Sequence, residues 1–195
     1  MTTRQNASGD SGTPVEDFLR GLGADRIPHP GGTLLAHLGR VARALAEWGA
    51  APEVRAAGLC HAAYGTDGFD ESLLGLDERA RLAGLIGDRA EALVYFYGSC
   101  DRSAVYPQLG GNRPLVFRDR FTGAEHTPAD DDLRALLEIT AANELDLVQH
   151  NEDLAVRYGA DLARLFTRSR AWLSAPARAA STRLLAPYVT GPTRA

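Results

Sequence analysis

The chain has 195 residues, a hydrophobic fraction of 45% and a formal net charge of −4. That length supports one domain with a sizeable core, and the composition is ordinary for a soluble globular protein. The acidic balance and the lack of any Lys/Arg block exclude nucleic acid as a main partner, because phosphate binding needs a basic face.

Residues 1–13, "MTTRQNASGDSGT", are polar and small and carry no apolar leader, so they read as a disordered tail. The remainder, 14–190, reads as a single helical domain. Thr13-Pro14 opens a short helix, "VEDFLRGLG", and "ADRIPHPGG" follows as a loop. Thr33 caps a long helix closed by Gly49, and Pro52 opens a third, "PEVRAAGLCHAAY", which "GTDGFD" breaks. Asp77 to Ile86 is the next helix, stopped by Gly87. Asp88 then caps another, with Glu91 three residues on as in a capping box. Residues 101–114 form a loop, and 115–126 a small β-hairpin turning at Thr122-Gly123. A long helix occupies about 128–150, with three aspartates in its first turn, where the helix dipole favours them. One or two helices follow to about 186, broken near Gly159 and Pro176. The fold class is all-α with one minor hairpin. No stretch approaches the eighteen apolar residues of a membrane span. Cys60 and Cys100 lie outside any CxxC pair, and the expected compartment is cytoplasmic.

A helix advances about 100° per residue, so the apolar stripes can be assigned. His37 lies at the edge of the stripe Leu34, Leu38, Val41, Leu45, Trp48. His61 shares a small-residue side with Val54 and Ala57. On the long helix, Glu144 falls in the middle of the apolar face and Asn143 on its flank, while Asp146 and His150 point away. One histidine on an apolar face is ordinarily a satisfied core residue. Two histidines and a carboxylate on three core helices form a candidate site, because a buried carboxylate needs a partner.

The run "HL…AAGLCHAAYGT…LIGDRAEALVYFYGSCDR…ITAANELD" resembles the HD-domain superfamily over residues 27–150, in layout nearest the hydrolase domain of the ppGpp enzymes. It is also similar to an uncharacterised group of small HD-like proteins with an H-x-x-YGT signature. The resemblance implies an HD-like helical bundle in which His37 is the first histidine and His61 the histidine of the His-Asp pair. Ala62 replaces that pair's Asp, and Asn143 stands at the distal aspartate. Two anionic ligands are thereby lost, which counts against ordinary ppGpp hydrolysis. Glu144 and the loop residue His29 are candidates to compensate. The expected metal ligands are then His37, His61, Glu144 and His29, holding a transition ion (Fe, Mn or Zn). If no metal is held, His61 and Glu144 are the expected acid/base pair of an isomerase, cyclase or lyase of secondary metabolism.

Tyr64, Thr66 and Asp67 follow the His61 helix and are candidate substrate contacts, with a plain helix terminus as the alternative. Asn143, Tyr97 and Arg102 join them, Tyr97 in an aromatic pocket wall and Arg102 as an anchor for a polar substrate group. Core packing and a surface ion pair are the simpler account of these last two. Arg118 and Arg120 of the hairpin read as a solvated face. Nothing resembles a Walker loop, a dinucleotide fingerprint or a Gly-x-Ser-x-Gly elbow. The expected function is a small-molecule enzyme on a modified HD-type scaffold, a hydrolase or oxygenase, with a non-catalytic ligand- or partner-binding module as the alternative. The expected partner is a small-molecule substrate, with a homodimer left open.

Overall fold

A computed structural model describes residues 13–69 and 71–189; the expected N-terminal tail lies outside them, apart from Thr13. The protein is mostly helical, with two small antiparallel strand pairs. Helix α1 (Pro14–Gly21) starts where the sequence predicts. The Thr13 hydroxyl accepts from the Glu16 N–H, and the Glu16 carboxylate accepts from the Thr13 N–H, a complete capping box. Thr33 caps α2 (Leu34–Glu47) by accepting from the Ala36 N–H. Helix α3 (Pro52–Cys60) ends four residues earlier than its apolar pattern suggests, and His61 is its C-cap. Helices α4 (Arg79–Ile86) and α5 (Asp88–Ser99) are split by Gly87, whose φ of +87° suits glycine alone.

The expected capping box at Asp88 and Glu91 does not form. Gly87 is the N-cap, without a side-chain bond. Glu91 is buried instead, where it accepts from Arg79 Nε at 2.6 Å and from the Tyr64 hydroxyl at 2.9 Å. A charge-assisted partner inside the fold outcompetes a local cap. The expected loop after residue 101 contains a short helix, α6 (Arg102–Val105), capped by Asp101.

The hairpin expected near 115–126 forms as β3 (Phe117–Arg118) and β4 (Glu125–His126), with Phe117 opposite His126. The "ADRIPHPGG" segment is more ordered than a loop. It folds as a second hairpin, β1 (Pro28–His29) against β2 (Gly32–Thr33), turned by Gly31 and Gly32 at φ of +77° and +130°.

Helix α7 (Asp130–His150) is the centre of the fold. It packs against α2, α3 and α5, and also against α8 (Glu152–Arg168) and α9 (Ala175–Val189). Gly159 does not break α8. A Cβ there would meet the Tyr188 ring at 2.5 Å, so this glycine serves the close contact with α9. Pro176 sits in the first turn of α9 and starts that helix, since an N–H is dispensable there. Between α2 and α3 the contact is closer still: a Cβ on Gly58 would lie 2.2 Å from Leu45 Cδ1.

Candidate functional site

The site begins where α2, α3 and α7 meet. His37 of α2 and His61 at the end of α3 are both nearly solvent-free, and their rings lie 5.3 Å apart, edge to face. His29, carried by the β1–β2 hairpin, stacks on His37 at 4.1 Å. The hairpin is held there from beneath. Arg40, one turn after His37, donates to the Pro30 carbonyl at 2.9 Å and to the Gly31 carbonyl at 3.2 Å.

Each polar atom of the cluster has a definite orientation. His61 Nδ1 donates to the Gly58 carbonyl at 2.8 Å, so Nε2 carries the lone pair. His37 Nδ1 lies 2.6 Å from Asp146 Oδ2. A carboxylate can only accept, so His37 Nδ1 is the donor. Asp146 also accepts from Arg40 Nε at 2.7 Å and Nη2 at 2.9 Å. Asn143 donates from Nδ2 to Glu144 Oε1 at 3.1 Å, which turns its Oδ1 toward His37 Nε2 at 3.0 Å. The buried Nδ1 of His29 has no hydrogen-bond partner among the described residues.

Burial and the neighbouring His37 push His61 down to about 3 and His29 to about 4. Both rings are neutral at physiological pH. Asp146 goes the other way: burial raises it, but the hydrogen bonds from His37 and Arg40 outweigh burial and hold it at about 2. Among the described residues, no three or more His, Cys, Asp or Glu side chains stand gathered around a metal position.

These groups form the floor of a cavity of about 550 Å³. His29, His61, Thr66, Asp67, Arg102, Asn143 and Glu144, all expected from sequence, line it, and His37 lies directly behind. Two expected contacts do not reach it. The Tyr64 hydroxyl is committed to Glu91, and Tyr97 stands behind Arg102, whose Nη2 donates to its hydroxyl at 3.0 Å. Glu144 is not aimed at the histidines. Its carboxylate pairs with Arg102 Nη1 at 3.1 Å, on the cavity wall. Asp67 accepts from the Arg102 backbone N–H at 2.8 Å and so fixes the start of α6.

Asp146, expected on the other side of α7, faces the cluster. It is 6% exposed and bonded to His37. The missed signal was spacing. His37 and Arg40, like Asn143 and Asp146, are three apart on their helices, so each pair shares a face. The far wall was also missed: Leu147 and Val148 of α7, with Leu154, Leu162 and Leu165 of α8.

Residues 18–102 match a family described as a domain of unknown function (DUF6817). The matched segment supplies His29, His37, His61, Thr66, Asp67 and Arg102, and it ends before α7. No curated protein and no solved structure matches the chain. The likeness to HD enzymes therefore rests on the sequence motifs alone.

Proposed function

We propose that the protein is a small-molecule enzyme on a modified HD-type scaffold, with its reacting end at the histidine cluster. One observation carries this reading. His37 Nε2 and Asn143 Oδ1 face each other at 3.0 Å, although the other ends of both side chains are already committed as donors. Two lone pairs at that distance repel, so the pair calls for a positive species.

A transition-metal ion suits the donor chemistry. His37 Nε2 and Asn143 Oδ1, which already face each other, would hold it. The neutral imidazoles of His61 and His29 would have to shift toward them to complete the set, since no three His, Cys, Asp or Glu side chains surround one position among the described residues. That set favours a borderline ion such as zinc or ferrous iron over a hard one. Such an ion supplies Lewis acidity for hydrolysis or, as iron, a redox partner for oxidation. The depressed basicity of His61 and His29 supports ligation over proton abstraction. An imidazole at about 3 is a weak base at neutral pH, far from the matched value that general-base catalysis needs.

The chain's own residues do the rest. Asp146 fixes the His37 tautomer, as a carboxylate behind a ligating histidine does. Arg40 holds Asp146 and the His29 hairpin together. Tyr97 and Glu144 hold the Arg102 guanidinium against the cavity, where it can orient a carbonyl or hydroxyl of the substrate. Glu144 serves this anchor and is not among the ligands in this reading.

A second reading is favoured by the short His37–Asp146 contact. There His37 carries a proton on both nitrogens, donates to Asp146 and Asn143, and the pocket works without metal. Calorimetric titration of the purified, chelator-treated protein with Zn²⁺ and Fe²⁺ separates the two. One ion per chain, with binding lost in His61→Ala and Asn143→Ala, is expected. No binding at micromolar concentrations, together with a nitrogen-15 signature of doubly protonated His37, overturns the metal reading.

A further inference from the structure

The cavity's charge balance and walls carry an inference about what it accepts, which rests on the reading of this cavity as a small-molecule site. Its lining holds three arginines, Arg102, Arg164 and Arg168, against three carboxylates, Asp67, Glu144 and Asp161. The charged side chains of the lining thus balance, three against three, so that a net charge at the floor would come only from an ion held by the histidine cluster. The arginines are also engaged or peripheral. Arg102 is paired with Glu144, Arg164 with Asp161 one turn away, and Arg168 is exposed at the rim. A polyanion entering here would face three carboxylates and would have to break the Arg102–Glu144 pair.

The wall between floor and rim is apolar. Leu147 of α7 and Leu154 and Leu162 of α8 are only half-buried, and they face the same space as Val148 and Leu165. Covering such side chains yields about 25 cal/mol for each Å² removed from water. A volume of about 550 Å³ lies within the roughly 300–1,000 Å³ of ordinary small-molecule sites.

We propose that the cavity selects an uncharged, largely apolar molecule with one carbonyl or hydroxyl end. The polar end meets Asn143 and Arg102 at the floor, and the apolar body lies along α7 and α8. Nucleotides and other polyphosphates are excluded.

Two probes test this: the neutral solvatochromic dye Nile red, and GTP as the polyanion. Saturable Nile red binding is expected, with a blue-shifted emission. Its affinity should change less than about twofold between low and high salt, because no ion pair forms. Leu162→Glu should weaken it by about tenfold or more, through an uncompensated charge beside the ligand. Leu162→Trp, which fills the space without a charge, should weaken it as well. Val189→Glu, in the separate groove between α8 and α9, should leave it unchanged. Circular dichroism of each variant checks the fold. Saturable, salt-sensitive GTP binding overturns the inference, and so does dye binding that follows Val189 and not Leu162. Failure of the enzyme reading looks different: dye still binds at Leu162, while no metal binds and His61→Ala changes nothing.

Discussion

Replacing Asp146 by Asn removes the charge on which the site is assembled. The carboxylate is buried and takes three hydrogen bonds, one from His37 and two from Arg40. Its ordinary value of 3.8 falls to about 2, because these bonds outweigh the cost of burial. At about 1.4 kcal/mol per tenfold, that fall corresponds to roughly 2–3 kcal/mol of stability at neutral pH. Little screening discount applies, since the Asp146 side chain is 8% exposed. A carboxylate lowered in the folded state stabilises above its unfolded value and loses that contribution as pH falls through the folded one. The gap between wild type and Asp146→Asn is therefore full above about pH 4 and closes toward about pH 2. Urea denaturation at a series of pH values measures it. A variant within about 0.5 kcal/mol of wild type at pH 7, or a gap that does not change with pH, would refute the assignment of Asp146 as the anchor of His37.

Gly58→Ala should destabilise by about 1–3 kcal/mol, read as a lower midpoint of thermal unfolding, because the new methyl collides with the fully buried Leu45. Tyr64→Phe should cost about 1 kcal/mol, for the lost hydrogen bond to Glu91, and leave Nile red affinity unchanged; weaker dye binding would restore Tyr64 to the cavity. His29 and His61 should stay neutral by nitrogen-15 NMR down to about pH 5 and titrate near 4 and 3. Their folded values lie below the usual 6.5 because burial disfavours the charged ring. Stability therefore falls as pH drops below 6.5 and the unfolded chain takes up protons that the folded one refuses, the same direction of pH dependence as for Asp146.

Local signals were legible in the sequence. Thr13 and Thr33 cap helices, Gly87 splits two, and Thr122-Gly123 turns a hairpin, because each acts through its own backbone neighbourhood. The faces of α7 were not legible by the same method. Thirteen of its residues are buried, on nearly every side, so no single apolar stripe defines inward and outward. Projection on one face therefore aimed Glu144 into the apolar face and Asp146 away from it, whereas Arg102 holds Glu144 on the cavity wall and His37 and Arg40 hold Asp146 inside. Arg102 and Arg40 lie 42 and 106 residues away, beyond any periodicity argument. The β1–β2 hairpin escaped for a related reason. Two prolines and two glycines read as a loop, while the contacts that order it come from Arg40 and from α2 packing.

The family match ends at residue 102, yet the cluster is incomplete without α7, which brings Asn143, Glu144 and Asp146. The matched segment should accordingly fail to fold alone. Helix α7 buries six large apolar side chains: Leu133, Leu136, Leu137, Ile139, Leu145 and Val148. At about 1.5–3 kcal/mol each, they contribute roughly 9–18 kcal/mol, which matches or exceeds the whole net stability of a typical domain at about 5–15. A fragment ending after residue 102 would also leave His37 without Asp146, and α2, α3 and α5 without the helix they enclose. Circular dichroism and amide-proton NMR of that fragment should show a non-cooperative chain with collapsed chemical-shift dispersion. A cooperative thermal transition in the fragment would mean that the core is organised around α2, α3 and α5, and that α7 is an addition to a domain already complete.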